Sequence, residues 1–365
     1  MHLIKGKKPK NQSSECKNGF MPYVDIKAFE TGKIENYTDG EKCLSCSDGD
    51  ILIVCDGSRS GLVGKALNGY VGSTLAKISA KGLISNYLYY FLQGKYTLLN
   101  TKKKGTGTPH LNPELLKKQK IYVPSLEEQQ QIVARIEELF SELDKGVETL
   151  QAIKQQLAVY RQAVLKEAFA TVTQYVPFGS FIDSRLGKML DKGKNTGSFH
   201  KYLRNINVRW FSFDTSDLLE MKIENSEMDK YTILNGDLAI CEGGEPGRCA
   251  VWSKDEPICY QKALHRVRFT DNSNPYFYMY YLWFAAQTGK LNSYYTGTGI
   301  KHLTGQSLVK IPVPTTYRTQ QDEIVEMIES RLSVCDSIEQ TVDTALAQAE
   351  SMRQSILKKA FEGTL

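Results

Sequence analysis

One stretch of roughly 43 residues without proline, Glu127 to Phe169, constrains this chain more than any other feature. Apolar residues recur along it every seven positions, at Ile136, Leu143, Leu150, Leu157 and Val164. A second column is expected three residues on, at Leu139, Ile153 and Tyr160, interrupted by Gly146. Such 3-4 spacing confines the apolar residues to one narrow seam of a helix. The Glu, Gln, Lys and Ala between them are good helix formers. At about 1.5 Å per residue the predicted rod is about 65 Å long. A single rod leaves its seam in water, so a partner helix is required.

The chain supplies that partner by repeating itself. Val123-Pro124 returns as Val313-Pro314, Gln130-Gln131 near Gln320-Gln321, and Ile132-Val133 as Ile324-Val325. Arg161-Gln162 returns as Arg353-Gln354, and Leu165 to Phe169 as Leu357 to Phe361. The second seam reads Ile328, Cys335, Val342, Ala349 and Ile356, with Ile338, Ala345 and Met352 beside it. Gly146, Ala345 and Ala349 stand where the other copy has bulky Ile338, Ile153 and Leu157, as close packing of facing helices needs. The seam residues Ile136, Leu143, Leu150, Leu157, Val164, Ile328, Val342 and Ile356 are therefore the candidate partner-contact residues.

The segments between the rods repeat more loosely. Gly49-Asp50-Ile51-Leu52-Ile53 returns as Gly236-Asp237-Leu238-Ala239-Ile240, a turn feeding a buried strand. Tyr87-Leu88-Tyr89-Tyr90 returns as Tyr278-Met279-Tyr280-Tyr281, on helices, and Asn274-Pro275 has the pattern of an N-cap with proline in the first turn. Gly105-Thr106-Gly107 with His110-Leu111 returns as Gly297-Thr298-Gly299 with His302-Leu303. The expected organisation is a globule over 1–125, a rod over 126–170, a globule over 171–315 and a rod over 316–365. Ahead of its opening the second globule carries Val176-Pro177-Phe178-Gly179-Ser180-Phe181-Ile182, for which nothing precedes Lys5-Gly6-Lys7. Part of the first globule's first strand is therefore expected to be missing or supplied from elsewhere.

Charge divides along the same boundaries. Residues 1–125 hold 19 Lys and Arg against 10 Asp and Glu, and residues 171–315 hold 17 against 14. The rods are the reverse, with 5 against 8 and 5 against 9. A polyanion would meet the globules, leaving the rods for spacing or for protein partners. No run of about eighteen apolar residues suits a membrane span, the start has no signal-peptide core, and several of the eight cysteines lie within apolar runs. The expectation is a reduced, cytoplasmic protein.

Taken together, the chain resembles the specificity subunit of type I restriction–modification systems. The resemblance spans essentially the whole length and rests on the paired Val-Pro, Gln-Gln and Ile-Val approaches to the rods, the Leu-Lys-Lys-Ala-Phe-Glu-Gly-Thr-Leu ending at 357–365, and the doubled Gly-Asp and Gly-Thr-Gly segments. It implies an α+β fold: two target-recognition domains separated by two long helices that pair as an antiparallel coiled coil, with a pseudo-two-fold internal repeat. It further implies double-stranded DNA as ligand, and two adenine methyltransferase subunits and restriction subunits as partners. S-adenosylmethionine and ATP would bind in those subunits and not in this chain.

The residues agree with a non-catalytic role. Asn274-Pro275-Tyr276-Phe277 lacks the second proline of an amino-methyltransferase loop, and no Gly-Lys-Ser/Thr nucleotide motif occurs. Cys43-Leu44-Ser45-Cys46 has metal-ligand spacing without a second pair, so a polar turn is expected there and no metal. Lys102, Lys103 and Lys104 beside Thr106, Thr108 and His110 offer cations, hydroxyls and glycine-freed amides to a phosphate backbone. Thr298, Lys301 and His302 keep that outline in the second copy. DNA contact is the favoured reading of these loops, over a structural turn or nucleotide binding. Base reading is expected from residues that differ between the globules: Ser58-Arg59-Ser60, the loop Glu242 to Arg248, and Arg204, Asn205 and Asn207, because Arg suits guanine and Asn suits adenine in the major groove. A coiled-coil scaffold with protein-binding globules is the alternative, and a self-sufficient methyltransferase stands third.

Overall fold

The computed structural model describes residues 1–102, 109–191 and 193–365. In chain order its main elements are β1 (His2–Lys5), β2 (Ile51–Val54), β3 (Val63–Lys65), β4 (Leu75–Ser79), α1 (Ser85–Gln93) and the long α2 (Leu126–Ala170). There follow β5 (Tyr175–Pro177), β6 (Ile182–Leu186), β7 (Leu238–Cys241), β8 (Cys249–Val251), β9 (Leu264–Phe269), α3 (Pro275–Gln287), β10 (Pro312–Pro314) and the long α4 (Arg318–Glu362). The chain divides into two compact units, Met1–Gln151 with Asp343–Leu365, and Ala152–Val342. Each long helix thus contributes to both units.

The first unit is built on an antiparallel sheet of order β1-β4-β2-β3. All four residues of β2 are buried because both of its faces are covered. Ile51 and Ile53 join the cluster of Leu88, Phe91 and Leu92 from α1. Leu52 and Val54 join Val24 and Val71 of a second, five-stranded sheet. A strand buried on both faces reads as an unbroken apolar run instead of an alternating one. The second unit repeats the plan with a sheet of order β6-β9-β7-β8. Leu238 and Ile240 of β7 face the α3 cluster, while Ala239 and Cys241 face Leu203 and Tyr260 of its second sheet.

The Gly-Asp repeat is the turn that launches these strands. Gly49 and Gly236 adopt φ of 83° and 88°, a region costly for residues with a Cβ. Asp50 accepts the Ser47 amide at 2.8 Å and Asp237 the Leu234 amide at 2.7 Å. A cation on the neighbouring strand secures each, Lys77 at 2.5 Å and Arg268 through two nitrogens at 2.8 and 2.6 Å. Asn274 caps α3 as its sequence indicates, its side chain accepting the Tyr276 amide at 2.9 Å.

The long helices pack together and run antiparallel. In the second unit Arg331 pairs with Glu167, Arg161 with Asp336 and Glu339, and Lys154 with Glu339. In the first, Arg353 pairs with Asp144 and lies over the Phe140 ring at 4.9 Å. Higher numbers on one helix consistently meet lower numbers on the other. The primary seam is as expected: Ile136, Leu157, Val164, Ile328 and Val342 are buried, and Leu143, Leu150 and Ile356 half-buried. These candidate contact residues pack within the chain's own units.

The second column corrects the sequence reading. Tyr160, Ile338 and Met352 are 47%, 40% and 54% exposed. The helices instead turn inwards the positions four residues after the primary seam, Phe140, Val147, Lys154, Arg161 and Ala168 on α2 and Leu332 and Arg353 on α4. A heptad column can lie on either side of the first. Apolar content favoured the wrong side, because Lys154, Arg161 and Arg353 cover the seam with their stems and send their heads to acidic residues across it. Gly146 is likewise no close-contact point, since a Cβ placed there would meet nothing within 4 Å.

The expectation of a deficient first strand is met in part. β1 is present and pairs with β4 from His2 opposite Ser79 to Lys5 opposite Ala76, as β6 pairs with β9 in the second unit. What lacks a counterpart is the β5–β10 pair and Phe178.

Candidate nucleic-acid interface

In each unit the polar loop after the central strand is stitched to the segment around the repeated His-Leu pair. In the first unit β2 runs into Cys55-Asp56-Gly57. The Gly57 amide donates to Pro109 at 2.8 Å and the Leu111 amide to Cys55 at 2.8 Å. Three elements then converge on one carboxylate. Asp56 accepts Lys5 Nζ from the end of β1 at 2.7 Å and faces His110 Nδ1 at 2.8 Å. Burial raises the Asp56 pKa, but the Lys5 and His110 contacts outweigh it and hold the carboxyl below its ordinary value. The side chains of Lys5 and His110 remain about half exposed, at 52% and 53%.

Ser60 is fully buried, its hydroxyl donating within the loop to Gly57 at 2.6 Å. Asn100 clamps the same loop, donating to the carbonyls of Ser58 and Ser60 at 2.8 and 3.0 Å. Arg59 pairs with Glu30 while staying exposed. Lys102 is exposed at the end of a short helix, Tyr96–Thr101. Lys103, Lys104, Thr106 and Thr108 lie outside the described residues.

In the second unit Thr296 and His302 close a hairpin with backbone bonds of 2.8 and 2.9 Å. The Leu303 amide binds that hairpin to Glu242 at 2.7 Å, and the Tyr295 hydroxyl donates to Pro246 at 2.9 Å. Arg248 donates to the Asn205 carbonyl at 2.9 Å and to Glu245 at 2.8 Å. Trp210 donates to the same Glu245 at 2.7 Å. Asn205, Arg248, Thr298, Lys301 and His302 therefore belong to one loop cluster. Thr298, Lys301 and His302 are exposed, with the Lys301 ammonium 5.8 Å from the Tyr295 ring centre.

Arg204 and Asn207 serve the fold. The Arg204 guanidinium donates to the Asp217 carbonyl and carboxylate at 2.6 and 2.9 Å, and Asn207 is 2% exposed, donating to Asp214 and Asp217.

Sequence reasoning missed Lys5 and Asp56, which sit far from the glycine-threonine loop in the chain. The one signal was the repeat. The position matching Asp56 is Gly243, where a Cβ would come within 3.1 Å of the His302 ring. Both units hold a histidine over this position. One presents it with a carboxylate and a lysine, the other over bare backbone.

The tyrosine clusters belong to the core. Tyr87, Tyr90, Tyr278, Tyr280 and Tyr281 are all buried. Their correspondence is shifted by one residue from the sequence match. Gln129 Oε1 accepts the Ile84 amide at 2.9 Å and Gln321 Oε1 the Asn274 amide at 2.7 Å, so the caps of α1 and α3 correspond. Tyr90 then matches Tyr280, and their hydroxyls reach Glu137 at 3.2 Å and Glu329 at 3.4 Å. Burial first, and these carboxylates second, push both phenols upwards. The buried glutamines also revise the Gln-Gln correspondence to Gln129 with Gln321, because two more residues separate Val-Pro from the helix in the second copy.

Cys46 is buried against the Leu67 carbonyl, its thiol pushed up to about 11 by burial. Among the described residues no three His, Cys, Asp or Glu side chains are grouped to hold a metal ion, and no helix is long and apolar enough to cross a membrane.

Comparison with known proteins follows this geometry. A family model described as type I restriction modification DNA specificity domain matches residues 1–157 and 183–348. The chain is 24% identical to the EcoKI specificity subunit of Escherichia coli K12, across all of this chain and 87% of that protein. It is 24% identical to the MjaVIII specificity subunit of Methanocaldococcus jannaschii, across 99% and 90%. Among solved structures, a chain from work on complex assembly and conformational transition of the type I R-M system superposes with TM-score 0.77 at 18% identity, covering 100% and 98% of the two chains. The HsdS subunit of Thermoanaerobacter tengcongensis superposes with TM-score 0.58 at 17% identity, covering 100% and 97%.

Proposed function

The chain belongs to the type I restriction modification DNA specificity family, and from that premise we propose that each unit reads one half of a bipartite DNA target through its own loop cluster. The observation that carries this assignment is a shared frame with divergent polar tips. Lys5, Asp56 and His110 stand in the first unit where Leu186, Gly243 and His302 stand in the second. Two half-sites of different sequence call for that combination, because base edges are read by side chains while phosphates fix register.

In this reading the chain performs no chemistry. Two methyltransferase subunits bring S-adenosylmethionine, and restriction subunits bring ATP. Double-stranded DNA is the ligand. The basic excess of residues 1–125 supports DNA over a protein ligand for the globules.

The test is a pair of double variants in the complex with the methyltransferase. Lys5→Ala with His110→Ala should relax base preference in one half-site, and Lys301→Ala with His302→Ala in the other. The discrimination given up is about 1–3 kcal/mol for each side chain that no longer reaches a base edge. Relaxation of both halves by either pair would overturn the assignment of one half per unit.

A further inference from the structure

The two units share one plan and differ in what covers the approach to the long helix. In the second unit β5 pairs antiparallel with β10, from Tyr175 opposite Pro314 to Pro177 opposite Pro312. The chain then turns inwards. The amides of Phe178 and Gly179 donate to Ile311 and Val309 at 2.8 and 2.9 Å. The Phe178 ring is fully buried against Phe181, Phe269 and Tyr278. Val313 beneath this cover is 0% exposed.

In the first unit the matching segment is Ile121 to Pro124, which likewise leads into a long helix. No strand pairs with it among the described residues. Val123, the counterpart of Val313, is 53% exposed, and Tyr122 is 64% exposed. A cavity of about 810 Å³ opens there. Leu83, Ile121 and Val123 line it together with Lys81, Lys117 and Lys120, whose side chains are exposed. The unit keeps the receptor surface and lacks the segment that fills it in its twin.

We propose that this groove is a docking site for an extended segment of a second polypeptide, in which an apolar residue and a proline lead into an aromatic ring on an acidic background. Strand addition supplies the backbone bonds and one pocket takes the ring. The three lysines select the acidic flanks. A second copy of this chain is a poor donor, because its one Val-Pro-aromatic sequence, Val176-Pro177-Phe178, is already committed within its own unit.

The experiment uses the full chain and a fluorescent peptide of residues 173–183. We expect saturable binding by anisotropy, lowered at least tenfold when alanine replaces the phenylalanine corresponding to Phe178. The substitution Val123→Asp should abolish binding. It sits at an exposed position, and an unchanged far-UV circular dichroism spectrum will confirm that the variant folds. Fusing residues 173–181 directly ahead of Met1 should fill the groove, block the labelled peptide and raise the melting temperature. No saturable binding, equal binding by the Val123→Asp variant, equal binding of the phenylalanine-free peptide, or a fusion that leaves the peptide site open would each overturn the proposal. Equal binding of a scrambled acidic peptide would reduce the groove to a patch of lysines.

Discussion

Single side chains tie the globular parts to the long helices. Gln129, fully buried near the start of α2, accepts the Ile84 amide and donates to the carbonyls of Gly82 and Pro124 at 2.7 and 3.1 Å. Replacing it by leucine keeps the volume and strands one amide and two carbonyls, a loss of about 1–3 kcal/mol. Gln129→Leu should therefore speed hydrogen exchange at the Ile84 end of α1 by roughly five- to a hundredfold. Exchange unchanged there would show that the glutamine is not the fastening.

His265 supplies a pH dependence. Its Nε2 donates to the Leu303 carbonyl at 2.9 Å, and burial pushes its pKa below the ordinary 6.5. The folded form resists the proton that the unfolded chain accepts. Stability is therefore intact above about pH 6.5 and falls as the pH drops below it. All three tryptophans, Trp210, Trp252 and Trp283, lie in the second unit, so their fluorescence follows its unfolding. Its midpoint should decline on acidification below about pH 6.5, and His265→Gln should flatten that decline. An identical slope in the variant would assign the dependence to other groups. At this scale the sequence showed little: the Gln-Gln motif was visible, but which glutamine turns inwards depends on where the helix starts.

At the scale of elements the sequence was far more legible. The two 45-residue helices, their primary seam, the Gly-Asp turns and the Asn274 cap all follow from periodicity and capping chemistry. The second column did not, since ion pairs between antiparallel helices put arginine and lysine where apolar counting looks for leucine. The aromatic helices were matched one residue out of register because tyrosine recurs too often along them to fix a phase. Gly146 provides the test. It lies in the interior of α2 with open space around its missing Cβ, so Gly146→Ala should gain about 1 kcal/mol from helix propensity alone. A destabilised variant would restore the close-packing role that its place in the repeat suggested. Pro at Leu150 should do the reverse, breaking α2 at a cost of about 3 kcal/mol or more and abolishing co-purification with a methyltransferase subunit; retained co-purification would mean that the intact helix is not needed for that assembly.

For the whole molecule, the division at Gln151 and Val342 falls within both long helices. If those helices set the separation of the half-sites, four helix-forming residues added after Gln151 and after Asp343 extend each by about 6 Å. That is nearly two base pairs at about 3.4 Å each. The charge of the first unit belongs to the same scale: neutralising Lys102, Lys103 and Lys104 should weaken binding alike on all sequences and lower the salt slope by up to about three phosphates. An unchanged slope would remove that loop from the DNA.

The central claim, one half-site per unit, is tested most directly by sequencing the duplexes that the chain, assembled with its methyltransferase partner, selects from a random pool. The account predicts two short fixed sequences separated by a spacer of constant length and free composition, with the spacer about two base pairs longer for the insertion variant. A single contiguous motif, or no enrichment at all, would contradict it.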